Sequence, residues 1–381
     1  MKKVYLDNAA TTVVYKEVLD VMLPFFTDKY GNASCLHSWG EESRDALEEA
    51  RVVIAKKINA GADEIIFTAG GSESNNFALK GVAYLLKSKG NHIITSKFEH
   101  PAVLNVCKAL EKDGFNITYI GIDRDGFVKI DELKKAITDK TILVSIMHAN
   151  NEIGTIQDIL AVGKICKEKN IVFHSDVVQS FTKVPIDVKK SNLSLASLSA
   201  HKIHGPKGIG ALYVKKGIKL KKLIDGGAQE FNLRAGTENV PGAVGFAKAC
   251  ELIASKDIDK MEGLRDYFIA EVIKQIPKVS LNGSGRDRLC NNISLSFHNV
   301  EGESVLLALN DKGIAVTTSS ACTSSKLEAS HVLSSIGLRP EQSHGTVRFS
   351  LSKYTTKEEL EYTIAVLKEI ISKFRGMSPL K

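Results

Sequence analysis

No apolar run in the chain approaches the roughly 18 residues a membrane-crossing helix needs. The N-terminal MKKVYLDNAATT carries two lysines but lacks the apolar stretch of a secretory signal, so the cytoplasm is the expected compartment. Internal repeats and low-complexity segments are missing as well. The six cysteines, Cys35, Cys107, Cys166, Cys250, Cys290 and Cys322, include no CxxC pair and lie far apart. That spacing argues against a zinc knuckle and a small disulfide framework, and no metal site is assigned. A long basic run with aromatic platforms is also lacking. The net charge of +7 comes from lysines interspersed with Asp and Glu, and the densest cluster, Lys215 to Lys222, is broken by Ile218 and Leu220. It reads as a solvated loop or edge, and no nucleic-acid partner is expected.

What is present is an ordinary globular composition, 43% hydrophobic and 25% charged. The 381 residues exceed what one hydrophobic core usually serves, so two domains are expected. Apolar strand-like runs occur at Ile65–Phe67, His92–Thr95, Thr118–Gly121, Ile142–Met147, Val172–Ser175, Leu195–Leu198 and Ile209–Val214. Helical patterns fall between them at Glu42–Ile58, Ser72–Lys87, Ala102–Lys112, Ile130–Ile137 and Gln157–Lys169. Such alternation implies βαβ units and a mainly parallel sheet. Capping-box spacing starts the first helix at Ser38 and the last at Thr356, and Pro101 and Pro241 sit where a first helical turn tolerates proline. After about residue 255 shorter units follow, Asp259–Gln275, Asn292–Phe297, Ser304–Asp311, Thr346–Leu351 and Lys357–Phe374, which read as a smaller α/β domain. A ligand site between the two is expected.

Four segments carry chemistry. In IIFTAGGSESNN a strand turns through Gly70 and Gly71 into a helix that starts near Ser72. Free N–H groups there suit an anion, although an ordinary glycine turn has the same pattern. In NIVFHSDVVQS, Asp176 ends an apolar strand, where it either faces a ligand crevice or caps a helix, and Gln179 follows within a turn. In SLSAHKIHGPKGIGALYV, Lys202 lies between His201 and His204, just after a strand and before a glycine-rich loop. Such a lysine is either solvated or a nucleophilic amine in a dry site. Cys322 sits among small polar residues in TTSSACTSSKLEASHVL, typical of a mobile loop, whereas Cys107, Cys166 and Cys250 fall in amphipathic patterns as small core residues.

In this order, and joined by YLDNAATT, YGNASCLHSWG, EHPAVL, NNEIGTIQ, RAGTENVPG and VRFSL, these stretches resemble the cysteine desulfurases of the NifS/IscS type, within the class V aminotransferase-like group of fold-type I pyridoxal-5′-phosphate (PLP) enzymes. The resemblance spans nearly the whole chain. It implies a large domain at 14–255 with a mainly parallel seven-stranded sheet, and a smaller α/β domain made of 1–13 and 256–381. It further implies that Lys202 tethers PLP and shuttles the Cα proton, that Asp176 faces the pyridine nitrogen, and that Gln179 bonds the phenolic oxygen. His100 would stack on the ring and take the thiol proton, or merely cap the helix ahead of Pro101. Gly71, Ser72, Ser199 and His201 would hold the phosphate, with Thr237 reaching across from the other subunit of a homodimer. Asn151 and Arg348 would clamp the carboxylate of L-cysteine, and Cys322 would carry a persulfide to an acceptor such as an iron–sulfur scaffold. Ser72 stands where relatives often have Thr, and Ser319 where many have Gly. An aminotransferase or selenocysteine lyase on the same fold, and a scaffold without catalysis, are the rival readings.

Overall fold

The computed structural model describes residues 2–318 and 330–377. Its centre is a seven-stranded sheet with the order β2–β8–β7–β6–β5–β3–β4. The strands are β2 Ile65–Thr68, β3 His92–Ser96, β4 Asn116–Ile120, β5 Thr141–Ser145, β6 Val172–Asp176, β7 Leu195–Ser199 and β8 Gly210–Val214. Pairings from β4 through β7 are parallel, and only β8 runs against its two neighbours. Every residue of β3, β5 and β7 is buried, which is why these strands read as continuous apolar runs and not as alternating ones.

Helices cover the sheet where their apolar spacing directs them. In the helix Pro101–Lys112 the buried residues are Val103, Val106, Cys107 and Leu110, one stripe at i, i+3, i+4 and i+7. Pro101 occupies its first turn, where its missing N–H costs nothing. The first long helix begins at Ser38, but its cap is His37, whose Nδ1 accepts from Gly40 N at 3.1 Å. The spacing that pointed to Ser38 therefore lies one residue late. Thr356 and Glu359 do form the expected reciprocal cap on the last helix.

A four-stranded antiparallel sheet, β12–β13–β10–β9, forms a second layer. It comprises β9 Val279–Leu281, β10 Asn292–Phe297, β12 Thr317–Thr318 and β13 Thr346–Ser350. The chain's start joins it: β1 Val4–Tyr5 pairs in parallel with β11 Ile314–Ala315, and Asp7 bridges to Ser350. Val4 and Leu6 pack in its core with Phe268, Val347 and Phe349, while Val332, Leu333 and Ile336 pack with the large sheet's core. Beyond Asp7 the chain crosses to the large sheet, where Thr12 Oγ1 donates to His201 O at 2.9 Å. Among the described residues no helix is long and apolar enough to cross a membrane.

Candidate active site

The turn after β2, Asp176 at the end of β6 and Ser199 at the end of β7 all lie at the carboxyl ends of the parallel strands, the usual place for a ligand in such sheets. At the end of β2 the chain turns through Ala69 and Gly70 into the helix Gly71–Leu86. Gly70 has φ +150°, a conformation that side chains resist. A Cβ on Gly71 would lie 2.8 Å from Val178 Cγ2, so the turn presses against the segment after β6. Gly71 and Ser72 share a pocket wall with Ser199, His201, Thr11 and Lys207. Ser199 Oγ is buried and has no hydrogen-bond partner among the described residues. An orphaned hydroxyl beside a helix N-terminus, whose first N–H groups have no intrahelical acceptor, fits a phosphate group. His201 is fixed there by Thr11 Oγ1, 3.2 Å from its Nδ1.

Asp176 is buried at the end of β6. Its Oδ2 accepts from Asn75 Nδ2 at 2.7 Å and its Oδ1 from Val178 N at 3.0 Å. The carboxylate is thereby held in one orientation, as a partner for a ring nitrogen must be. Gln179 donates its side-chain amide to Ala9 O at 3.1 Å. Lys202 Nζ donates to the same Ala9 O and to Ala10 O, both at 2.7 Å. Burial, with the positive charges of Arg348 and Lys183 added, pulls the Lys202 amine down to about 8 against the opposing pull of Asp7 and Asp176. An amine in that range is available as a nucleophile and base near neutrality.

Of the two readings of His100, the geometry displays the helix cap. The ring caps the helix Pro101–Lys112, its Nδ1 accepting from Ala102 N at 3.1 Å. Burial lowers its pKa, and it feels the charges of Asp176, Lys202 and His331, which puts it near the site residues Asp176 and Lys202. With Nδ1 engaged as an acceptor, the neutral ring carries its proton on Nε2. Uptake of a second proton, at Nδ1, would break the cap.

Arg348 is less free than the sequence suggested. Its Nη1 donates to Asn151 O at 3.0 Å and its Nη2 pairs with Asp7 Oδ1 at 3.1 Å. Asn151 thus meets Arg348 through its backbone, and Asp7 is an unforeseen third member. Thr237 is exposed and does not line the pocket formed by Gly71, Ser72, Ser199 and His201. Cys322 lies outside the described residues.

Further residues at the site went unnamed in the sequence reading. Asn75 belongs to the quoted GGSESNN stretch, four residues past Gly71 on the same helix face. Glu99, buried and next to His100 in the chain, accepts at Oε1 from Ser96 Oγ at 2.5 Å and from Met147 N at 2.9 Å. His331 Nε2 lies 3.0 Å from Glu99 O. Cys107, Cys166 and Cys250 are buried core residues, and burial pushes all three thiols up, the first two to about 12.

The aminotransferase class-V family matches residues 4–363. A protein of Dictyoglomus turgidum named cysteine desulfurase IscS is 57% identical over 383 residues, covering 100% of this chain and 97% of that relative. A protein of the same name from Methanosarcina thermophila is 51% identical over 383 residues, covering 100% and 94%. Among solved structures, a NifS-like protein superposes with a TM-score of 0.92 at 40% identity, over 98% of this chain and 100% of that one. SspA in complex with cysteine superposes at 0.84 and 38% identity, over 93% and 100%.

Proposed function

The chain belongs to the aminotransferase class-V family, and from that premise we propose that it is a PLP-dependent cysteine desulfurase, converting L-cysteine to L-alanine while one sulfur atom passes to Cys322. The observation that carries the reading is the placement of Lys202: a lowered amine within electrostatic reach of a buried, doubly hydrogen-bonded Asp176, three residues past a Ser199 hydroxyl without a partner among the described residues.

Lys202 would hold the cofactor covalently. Asp176 would pair with its pyridine nitrogen and Gln179 with its phenolic oxygen. Gly71, Ser72, Ser199 and His201 would receive its phosphate. Bound there, PLP supplies an electron sink for charge developing at the substrate Cα. The protein's own groups do the rest. Lys202 takes and returns a proton at Cα. Arg348, with Asn151, orients the substrate carboxylate; a planar guanidinium suits that group. The substrate must compete with Asp7 for it. His100 offers the substrate thiol an Nε2–H, and accepts its proton only at the expense of the Ala102 bond.

Cys322 as thiolate attacks the substrate sulfur. An S–S bond forms and the S–Cβ bond breaks, so cysteine plus thiol gives alanine plus persulfide with no external oxidant. Only the thiolate is competent, and a free cysteine has a pKa of about 8.5. Sulfur then leaves to an acceptor such as an iron–sulfur scaffold.

The same reading makes the enzyme a cytoplasmic homodimer in which Thr237 reaches the partner's phosphate site; its exposure and absence from its own pocket support this. It divides the chain into a large domain at 14–255 and a smaller one at 1–13 and 256–381. The experiment is a pair of product assays on L-cysteine with a reductant. Release of sulfide and alanine without any keto acid supports desulfurisation. Turnover that requires a keto-acid co-substrate would mark an aminotransferase instead.

A further inference from the structure

Three consecutive residues, Glu230, Phe231 and Asn232, have φ of 46°, 55° and 61°. None is glycine, and a run of left-handed residues is costly enough that its surroundings must impose it. The imposing contact is visible. The Glu230 carboxylate turns inward, where Arg51 Nη1 and Nη2 donate to its two oxygens at 2.8 and 3.1 Å. Both side chains are almost wholly buried. The guanidinium lies between the rings of Phe67 and Phe231, 4.8 Å from each centroid.

The pair also grips the sheet. β2 is an edge strand of the large sheet. On its open side Phe67 N donates to Glu230 Oε2 at 2.7 Å, and Ile65 O accepts from Arg51 Nη1 at 2.6 Å. The ion pair thus satisfies one donor and one acceptor of an edge that would otherwise be bare. Two residues past Phe67 the same strand becomes the Ala69–Gly71 turn. Downstream of the left-handed run, Arg234 Nε donates to Glu73 Oε1 at 3.0 Å, and Glu73 Oε2 accepts from Ala69 N at 2.8 Å. Both sides of the glycine turn are therefore tied to one loop, and Thr237 lies three residues beyond Arg234.

We propose that Arg51 and Glu230 form a positioning clamp that fixes the phosphate-binding turn and sets the 233–239 segment in its outward path. Neither residue lines the pocket of Gly71, Ser72 and Ser199; the pair acts on the turn through Ile65 and Phe67 of β2 and, past Glu230, through Arg234 and Glu73. The proposal rests on the reading of the glycine turn as the phosphate site.

The test uses apoprotein of the wild type, Glu230→Gln and Arg51→Met, each first checked for native circular dichroism. Glu230→Gln keeps the shape and is the variant that decides if Arg51→Met does not fold. Binding of PLP and of inorganic phosphate is titrated by fluorescence, and amide exchange is followed by mass spectrometry. The clamp requires at least about tenfold weaker binding of both probes by Glu230→Gln, roughly 1.4 kcal/mol. It also requires faster exchange confined to 67–73 and 231–239, with β5 and β6 unchanged. A folded variant with wild-type affinities and exchange overturns it. So does a lowered melting temperature with uniformly faster exchange, which is what a merely structural pair would give. If wild-type protein binds neither probe, the phosphate reading falls, while the exchange pattern still decides the clamp.

Discussion

Asn75 and Asp176, 101 residues apart in the chain, meet in a 2.7 Å hydrogen bond at the mouth of the large sheet, the amide donating to carboxylate Oδ2. The bond holds a buried carboxylate in one rotamer. Replacing Asn75 by Ala leaves Val178 N as the only donor to the Asp176 carboxylate among the described residues. Activity should fall about 10- to 100-fold, as when a group orienting a catalytic residue is lost, with PLP content nearly kept. Cofactor absorbance per protomer and the initial rate of alanine formation check this together; equal loss of both would mean that Asn75 merely stabilises the fold.

The Lys202 amine titrates near 8, well below an ordinary lysine at 10.5. In the apoprotein, its rate of covalent capture of pyridoxal should rise with pH and level off above about 8. The native state sheds this proton at lower pH than the unfolded chain. Its contribution to stability is therefore unfavourable at and below 8 and is relieved as pH climbs from 8 to 10.5. Lys202→Met should gain stability over wild type at neutral pH and lose that advantage by about 10.5, as followed by denaturant titration.

Glu99 has the opposite sign. Burial, with a smaller push from Asp176, raises its carboxyl to about 8 despite hydrogen bonds from Ser96 and Met147. Between 4.5 and 8 the native state keeps a proton that the unfolded chain has released. Stability falls across that window by up to roughly 1.4 kcal/mol per pH unit. Glu99→Gln should flatten this slope, being least different from wild type at low pH and more stable than it near 8. Parallel stability curves for the two proteins would show that Glu99 is ionised in the fold.

Arg348 is shared between Asp7 and Asn151 O. Arg348→Lys removes the planar fork, so the KM for L-cysteine should rise at least about tenfold with a smaller change in kcat. Asp7→Asn should lower KM, because the substrate carboxylate no longer competes with a fixed one. Unchanged KM in both variants would remove Arg348 from the carboxylate site.

The sequence exposed what depends on local pattern. Continuous apolar runs such as TILV marked strands buried on both faces, and Lys202 and Asp176 stood out because each follows or ends such a run. The short strands β1, β9, β11 and β12, two or three residues each, offer too little length for any periodicity. Capping by His37 was hidden because Ser38 carries the commoner cap side chain one position away. Asp7 and Glu230 were invisible for a different reason. Their partners, Arg348 and Arg51, are 341 and 179 residues distant, and nothing in the flanking sequence announces a contact made only by tertiary folding.

The central claim, sulfur transfer from L-cysteine to Cys322, is tested most directly by mass spectrometry of peptides from PLP-loaded protein, alkylated after a single turnover without reductant. The expected result is one added sulfur atom on the peptide holding Cys322, alanine in equal amount, and neither product from a Cys322→Ala variant that still binds PLP. An unmodified Cys322 peptide alongside alanine formation, or undiminished alanine formation by Cys322→Ala, would contradict it.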